Sequence, residues 1–468
     1  MKAMESTETA GHAFSPLSNG QAIRPWWILT PDRIHFLFLC VILYTSSFDK
    51  LLNFRIAGFS FRFCYLCILS MLFINLPRLK RYLLKQKEIL GLIPLALWTL
   101  CLTGFVANTQ FLARNVGYLI WHYIHIFFLV LLVNNVRGRD AFMRLFKAYV
   151  FSFLFVAVFG LVQFAGGIVG VNLLIEQWWF AGLPRINGFS YEPSYFGSYL
   201  LIGWIMLFLL AQTRTRLFPG KSALAMFATA SAALFLSSSR MSIFVAVFFV
   251  GMYSLNLVWR VFLTLKARFF QIVFISMMVG MLGTGGGLTV KYWTYMEYFF
   301  SGLGIAGGSA HSSDYRKDTM RDTWNVFTRS PIVGVSLGGV ASSIAEAEGI
   351  KVTSNQEARR HEGMNVFVEV LAASGAFGYL FFLAYFFSLF QKPFELMRAL
   401  TARDPEMSLI LKAMLLALAF ELLILSMNQN ILRPFLWFHI AMLSLAFKIG
   451  RNSQEPDSLP PNRPRENL

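Results

Sequence analysis

Arg185, Glu192, Arg240, Arg316, Arg321 and His361 are the side chains of this 468-residue chain whose types and surroundings could carry chemistry. Arginine forks match phosphate oxygens in pairs, which a lysine ammonium cannot do. A carboxylate such as Glu192 stays ionised beside cations. It could organise an arginine or accept a hydrogen bond from a sugar hydroxyl. His361 has an ordinary pKa near neutrality, which suits a general base. The plainer readings stand beside these: Arg185 and Glu192 as an ion pair at a lipid interface, Arg240 as a cation snorkelling from a helix end, His361 as an interfacial histidine.

The stretch RINGFSYEPSYFG (185–197) attaches two of these groups to a helix start. Pro193 suits the first helical position, where its missing N–H has no intrahelical partner. The free N–H groups and positive dipole end of that helix favour an anion. Arg240, in SSSRMS (237–242), stands likewise just ahead of an apolar run. A phosphate-bearing group is the natural guest, and at a bacterial membrane face that suggests a polyprenyl-pyrophosphate carrier.

The elements that position these groups are membrane spans. The chain is 56% hydrophobic and 14% charged, well short of the roughly 25% charge of a soluble domain. Many apolar runs reach the about 20 residues that cross a bilayer. The expected fold is all-α and integral to the membrane, with about twelve transmembrane helices near 28–47, 57–77, 89–107, 115–134, 146–166, 194–212, 222–238, 241–259, 268–284, 363–390, 408–427 and 431–448.

The net charge of +17 concentrates in alternate links: RLKRYLLKQKE, RGRDAFMRLFK, TRTRLFPGK, WRVFLTLKAR and QKPFELMRALTARDPE. That alternation is the positive-inside pattern, and it places both termini in the cytoplasm. Topology thus explains the basic charge without nucleic acid. The organisation expected is a cytoplasmic N-terminal tail (1–27), nine spans (28–284), one long periplasmic loop between spans nine and ten (285–362), three spans (363–448) and a disordered cytoplasmic tail (449–468). All six candidate residues then face outward, where the rule predicts few cations.

The long loop should hold a helix capped by Ser312 or Ser313 and ending near Arg329, with Met320, Trp324 and Phe327 packed against the spans. Asn365, Gly375 and Gly378 are spaced N-x9-G-x2-G, and the small residues among them permit close helix packing. Cys64 and Cys67 form a C-x-x-C inside an apolar run, which reads as buried, inert thiols.

RINGFSYEPSYFG, SSSR, the R-x14-P-x2-G from Arg316 to Gly334, and His361 with N-x9-G-x2-G together resemble the bacterial O-antigen polymerase/O-antigen ligase superfamily. The resemblance covers about 185–380. It implies a metal-independent glycosyltransferase with no cofactor, which moves glycan from an undecaprenyl-pyrophosphate donor to an acceptor sugar hydroxyl. It also implies that Arg185, Arg240 and Arg316 bind the pyrophosphate, with Arg316 preferred over Arg321, and that His361 assists the acceptor.

The EPS-x-FG stretch looks more like the polymerases of capsule and exopolysaccharide systems. The expectation is therefore a surface-polysaccharide polymerase of the inner membrane. An O-antigen ligase acting on lipid A core is the alternative, and a lipid-linked oligosaccharide transporter a further one. Partners expected of it are the lipid-linked oligosaccharide, membrane lipids, a chain-length regulator and a flippase.

Overall fold

The computed structural model describes residues 31–56, 59–84, 89–178, 183–213, 215–264, 310–427 and 431–453. Expected span nine, the N-terminal tail and residues 454–468 lie outside the described residues; residues 449–452, expected in the disordered C-terminal tail, instead continue the last helix.

The chain is an α-helical bundle. Its first half runs α1 (Pro31–Tyr44), α2 (Phe63–Leu84), α3 (Leu92–Gly104), α4 (Leu112–Asn135), α5 (Arg139–Ile168), α6 (Pro193–Gln212), α7 (Gly220–Leu236) and α8 (Arg240–Thr264). Then come α9 (Ala310–Arg329), α10 (Gly339–Ala347), a short turn at Asn355–His361, α11 (Val366–Leu400), α12 (Pro405–Leu425) and α13 (Pro434–Asn452). Among the described residues, 6 helices are long and apolar enough to cross a membrane: α2, α4, α5, α6, α11 and α12. Shorter apolar helices stand at α1, α3, α7 and α8. The chain is a multi-pass membrane protein by this measure.

One small sheet departs from expectation. Residues 59–62, expected inside the second span, are strand and not helix. β1 (Asn53–Ile56) pairs antiparallel with β2 (Phe59–Arg62), Asn53 opposite Arg62 and Ile56 opposite Phe59. Apolar and polar residues alternate through Phe59-Ser60-Phe61-Arg62, and that period of two is a strand signal. The helix begins only at Phe63.

α9 ends at Arg329 as expected but begins at Ala310, which puts Ser312 and Ser313 inside it. Its packed face is also different. Thr319, Thr323 and Val326 are buried, Phe327 is partly so, and Met320 and Trp324 are exposed. α9 is polar and not among the apolar spans, and its buried face is carried by the threonines and Val326 and not by the Met320–Trp324 stripe.

The glycines of N-x9-G-x2-G do pack closely, and one breaks its helix. Gly375 takes φ 63°, ψ 175° inside α11, a conformation essentially restricted to glycine. The strap after α9 fills the break. Ala376 N–H donates to Pro331 O at 2.8 Å, Val335 N–H to Ala372 O at 3.2 Å and Ser336 N–H to Ala373 O at 2.8 Å. The backbone groups freed by the break are thus satisfied by another part of the chain, as a buried break requires. A side chain on Gly375 would meet the Ile332 carbonyl, and one on Gly334 the Ala373 carbonyl.

Candidate functional site

A cavity of about 480 Å³ lies where the starts of α2, α6 and α8 meet the end of α12 and the turn before α11. That volume lies within the range of small-molecule sites, roughly 300–1,000 Å³. Its wall carries Asp49, Arg62, Glu192, Arg359, Glu362 and Arg433 as charged groups. Tyr65, Tyr118, Trp121, Tyr191 and Tyr195 supply aromatic faces.

The RING segment is held by a buried amide lattice. The Gln163 carbonyl of α5 accepts from the N–H groups of Asn187 and Gly188, both at 3.0 Å. The Asn187 amide donates to Ser190 O at 2.7 Å and Leu174 O at 3.1 Å. Gly188, at φ 55°, makes the turn and lies against Phe196. Phe189 O then accepts from the N–H groups of Asp49 and Lys50 at 3.1 and 3.0 Å, which ties the end of α1 to the same loop.

Asp49 is the hub of the cavity's floor. Arg62 reaches it at 2.7 Å and Arg433 at 3.4 Å, and all three are largely buried. Arg433 also lies 3.5 Å from the centre of the Tyr195 ring, a cation–π contact strengthened by exclusion of water. Arg62 donates to the Tyr65 hydroxyl at 3.1 Å. Burial opposes the Arg62 charge, but Asp49 and Tyr65 outweigh it and hold its pKa above the ordinary arginine value. One carboxylate thus serves two arginines and leaves a surplus positive charge.

On the facing wall Glu362 is held by Arg114 and by the Tyr118 hydroxyl at 3.1 Å. Glu192, by contrast, accepts from the Ser194 hydroxyl alone among the described side chains, at 3.0 Å, and is exposed. Arg359 also lines the cavity and, among the described residues, makes no ion pair.

The residues expected from sequence divide accordingly. Glu192 lines the cavity; Arg185 and Arg240 flank it. Arg185 donates to Gln177 Oε1 at 2.6 Å and to Ser238 O at 3.1 Å, two residues before Arg240. Burial and then the Arg240 charge push its pKa down, and Glu192 partly offsets them. Ser238 takes φ 54°, a strained conformation for a residue with a side chain. Ser239 and Ser242, on either side of Arg240, line the cavity and hydrogen-bond each other at 2.8 Å.

His361 is not among the lining residues; its Nδ1 lies 3.2 Å from Glu348. Arg321 is exposed on α9 and pairs with Asp318 at 3.2 Å, outside the cavity. Arg316 belongs to α9, and its side chain lies outside the described residues. Sequence reasoning passed over Asp49, Arg62, Arg359 and Arg433, although the same shortage of outward cations that drew attention to Arg185 applies to all three arginines.

No protein-family model and no curated protein matches this chain.

Proposed function

We propose that this chain is a surface-polysaccharide polymerase of the bacterial inner membrane, acting at the periplasmic face. The cavity that gathers Glu192, Arg359, the Arg62–Asp49–Arg433 cluster and five aromatic rings supports this reading. In the proposed reaction an acceptor sugar hydroxyl attacks the anomeric carbon of an undecaprenyl-pyrophosphate-linked glycan. The new glycosidic bond forms as the bond to pyrophosphate breaks. Negative charge grows on the departing oxygen, where fixed arginines lower the barrier. Arg359 and the surplus charge of Arg62 and Arg433 serve here, with Arg185 and Arg240 at the flank. Glu192, which pairs with no arginine among the described residues, takes the hydroxyl proton or orients that hydroxyl. The tyrosines offer sugar rings flat faces and hydroxyl partners.

Deletion of the gene followed by gel analysis of surface glycans tests the reading. Loss of long chains with single repeats still surface-linked is the outcome expected. Unlinked, lipid-carried polymer would instead mean an O-antigen ligase, and unchanged glycans would overturn both. Arg185→Lys and Arg240→Lys should each largely abolish polymer at unchanged protein level, because lysine lacks the fork.

A further inference from the structure

A second cavity, of about 710 Å³, opens at the opposite end of the bundle. It is bounded by the start of α1, the end of α2, the end of α4 and the start of α5. Two helix N-termini and two C-termini meet there, so their dipoles offset one another and the side chains set the sign. Arg33, Arg78, Arg137 and Arg144 line it, and no aspartate or glutamate does among the described residues. Arg78, Arg137 and Arg144 make no ion pair with any described residue.

An excess of arginine at this end is what sidedness alone produces; a shaped, polar-floored cavity is not. His35 and Tyr82 form part of the floor, and both reach the amide of buried Asn75 behind it. The Asn75 amide meets His35 Nε2 at 3.0 Å, and the Tyr82 hydroxyl lies 3.2 Å from Asn135 Oδ1. This lattice fixes the helix ends that carry the arginines. Phe36 and Leu39 give the cavity an apolar side. Leu37, Phe73 and Leu76, on the same two helices, are exposed and apolar, so a lipid-facing surface leads up to the arginines.

We propose that this cavity is a binding site for a phosphate-bearing anion, gripped by Arg33, Arg78, Arg137 and Arg144. Its guest is either the headgroup of an anionic phospholipid or a soluble phosphate. The guanidinium forks supply paired donors for phosphate oxygens, and basic pockets between helices at the cytoplasmic side suit such headgroups. The site is independent of the cavity at the other end and of the reaction proposed for it.

The test uses the purified full-length protein in detergent. Its melting temperature is followed on titration with phosphatidylglycerol, with zwitterionic phosphatidylcholine and with inorganic phosphate, and native mass spectrometry counts bound lipid. Phosphatidylglycerol should stabilise the protein and phosphatidylcholine should not. The variant R78Q/R137Q/R144Q should lose affinity by roughly fivefold per arginine removed. These arginines are exposed, which lets the variant fold, and its melting temperature without ligand checks that it has.

The control variant R216Q/R398Q/R403Q removes as much charge from other links of the same end, where Arg216 and Arg403 share a cleft with Asp404 and Glu406. It should bind as the wild type does. Stabilisation by inorganic phosphate that the first variant loses would identify a soluble guest at the same site. Equal losses in both variants would overturn the site, as would no effect of either anion on the wild type.

Discussion

Asp49 holds two buried arginines at once, and removing it would strand both. Loss of one partner of a buried ion pair costs about 3–5 kcal/mol. Asp49→Ala should therefore lower the melting temperature in detergent sharply, and Asp49→Glu much less; equal behaviour of the two would mean that the charge is not what matters. Glu421 presents the opposite case. It is fully buried in α12, and neither carboxyl oxygen has a hydrogen-bond partner among the described residues. Glu421→Leu removes unsatisfied groups worth about 1–3 kcal/mol each and should raise the melting temperature. If polymer output falls at the same time, the acid is retained for function at the expense of stability.

A carboxyl at a helix start makes its contribution through pH. Asp404 caps α12 by accepting from Met407 N–H at 3.2 Å and pairs with Arg139. Burial opposes its ionised form, but the hydrogen bonds from Arg139 and Met407 N–H and the Arg139 charge outweigh that and hold its pKa below the ordinary aspartate value. Its folded-state pKa is depressed, so the stabilisation is fully present above the unfolded value and is lost as pH falls through the folded one. Acid melting curves of wild type and Asp404→Asn should begin to approach each other as pH falls below about 4; a constant gap down to pH 2 would refute the linkage. At Gly375 the constraint is steric. Gly375→Ala forces a side chain into the Ile332 carbonyl and a backbone conformation costing on the order of 1–3 kcal/mol, so the strap should loosen and proteolysis within 331–336 accelerate.

The same elements show what the sequence could express. Apolar length and alternating charge disclosed the helices, because a bilayer imposes one length and one sign rule on every span. Gly375 and Pro331 were visible as spacings. That the strap plugs the break was not, since nothing local links residues some forty positions apart. Strand β2 was absorbed into a neighbouring apolar run, and β1 fell in the link before it. The Met320–Trp324 stripe misled because an apolar period on a helix does not fix which face a neighbour covers, and here the threonine face is the buried one.

Over the whole molecule, charged clusters gather at opposite ends of the bundle. Reporters inserted after Gly349 and after Ala402 should read opposite compartments, the first periplasmic; a shared readout would contradict the sidedness on which the proposed reaction depends. Of the cavity, the sequence yielded Glu192 and the flanking Arg185 and Arg240, which stand beside recognisable helix starts. Arg433 precedes Pro434 at a helix start much as Glu192 precedes Pro193, so the same signal was present there; for Arg62 and Arg359 only folding shows that they line one cavity with Asp49 and Glu192.

The strap has a consequence for how such a chain could diversify. Residues 331–336 are pinned on α11, and Asn365 caps the start of that helix, its side chain accepting from Phe367 and Val368 N–H. The excursion between the two pins therefore leaves and returns to one element. It carries Arg359 and Glu362 to the cavity wall and includes an exposed turn at Gly349. Insertions or deletions at that turn would redraw one wall while the bundle kept its register. The excursion is thus a segment whose length can vary at its turn while its contacts to α4 through Glu362 are kept, and under the proposed reaction such variation would reshape the wall that meets the acceptor.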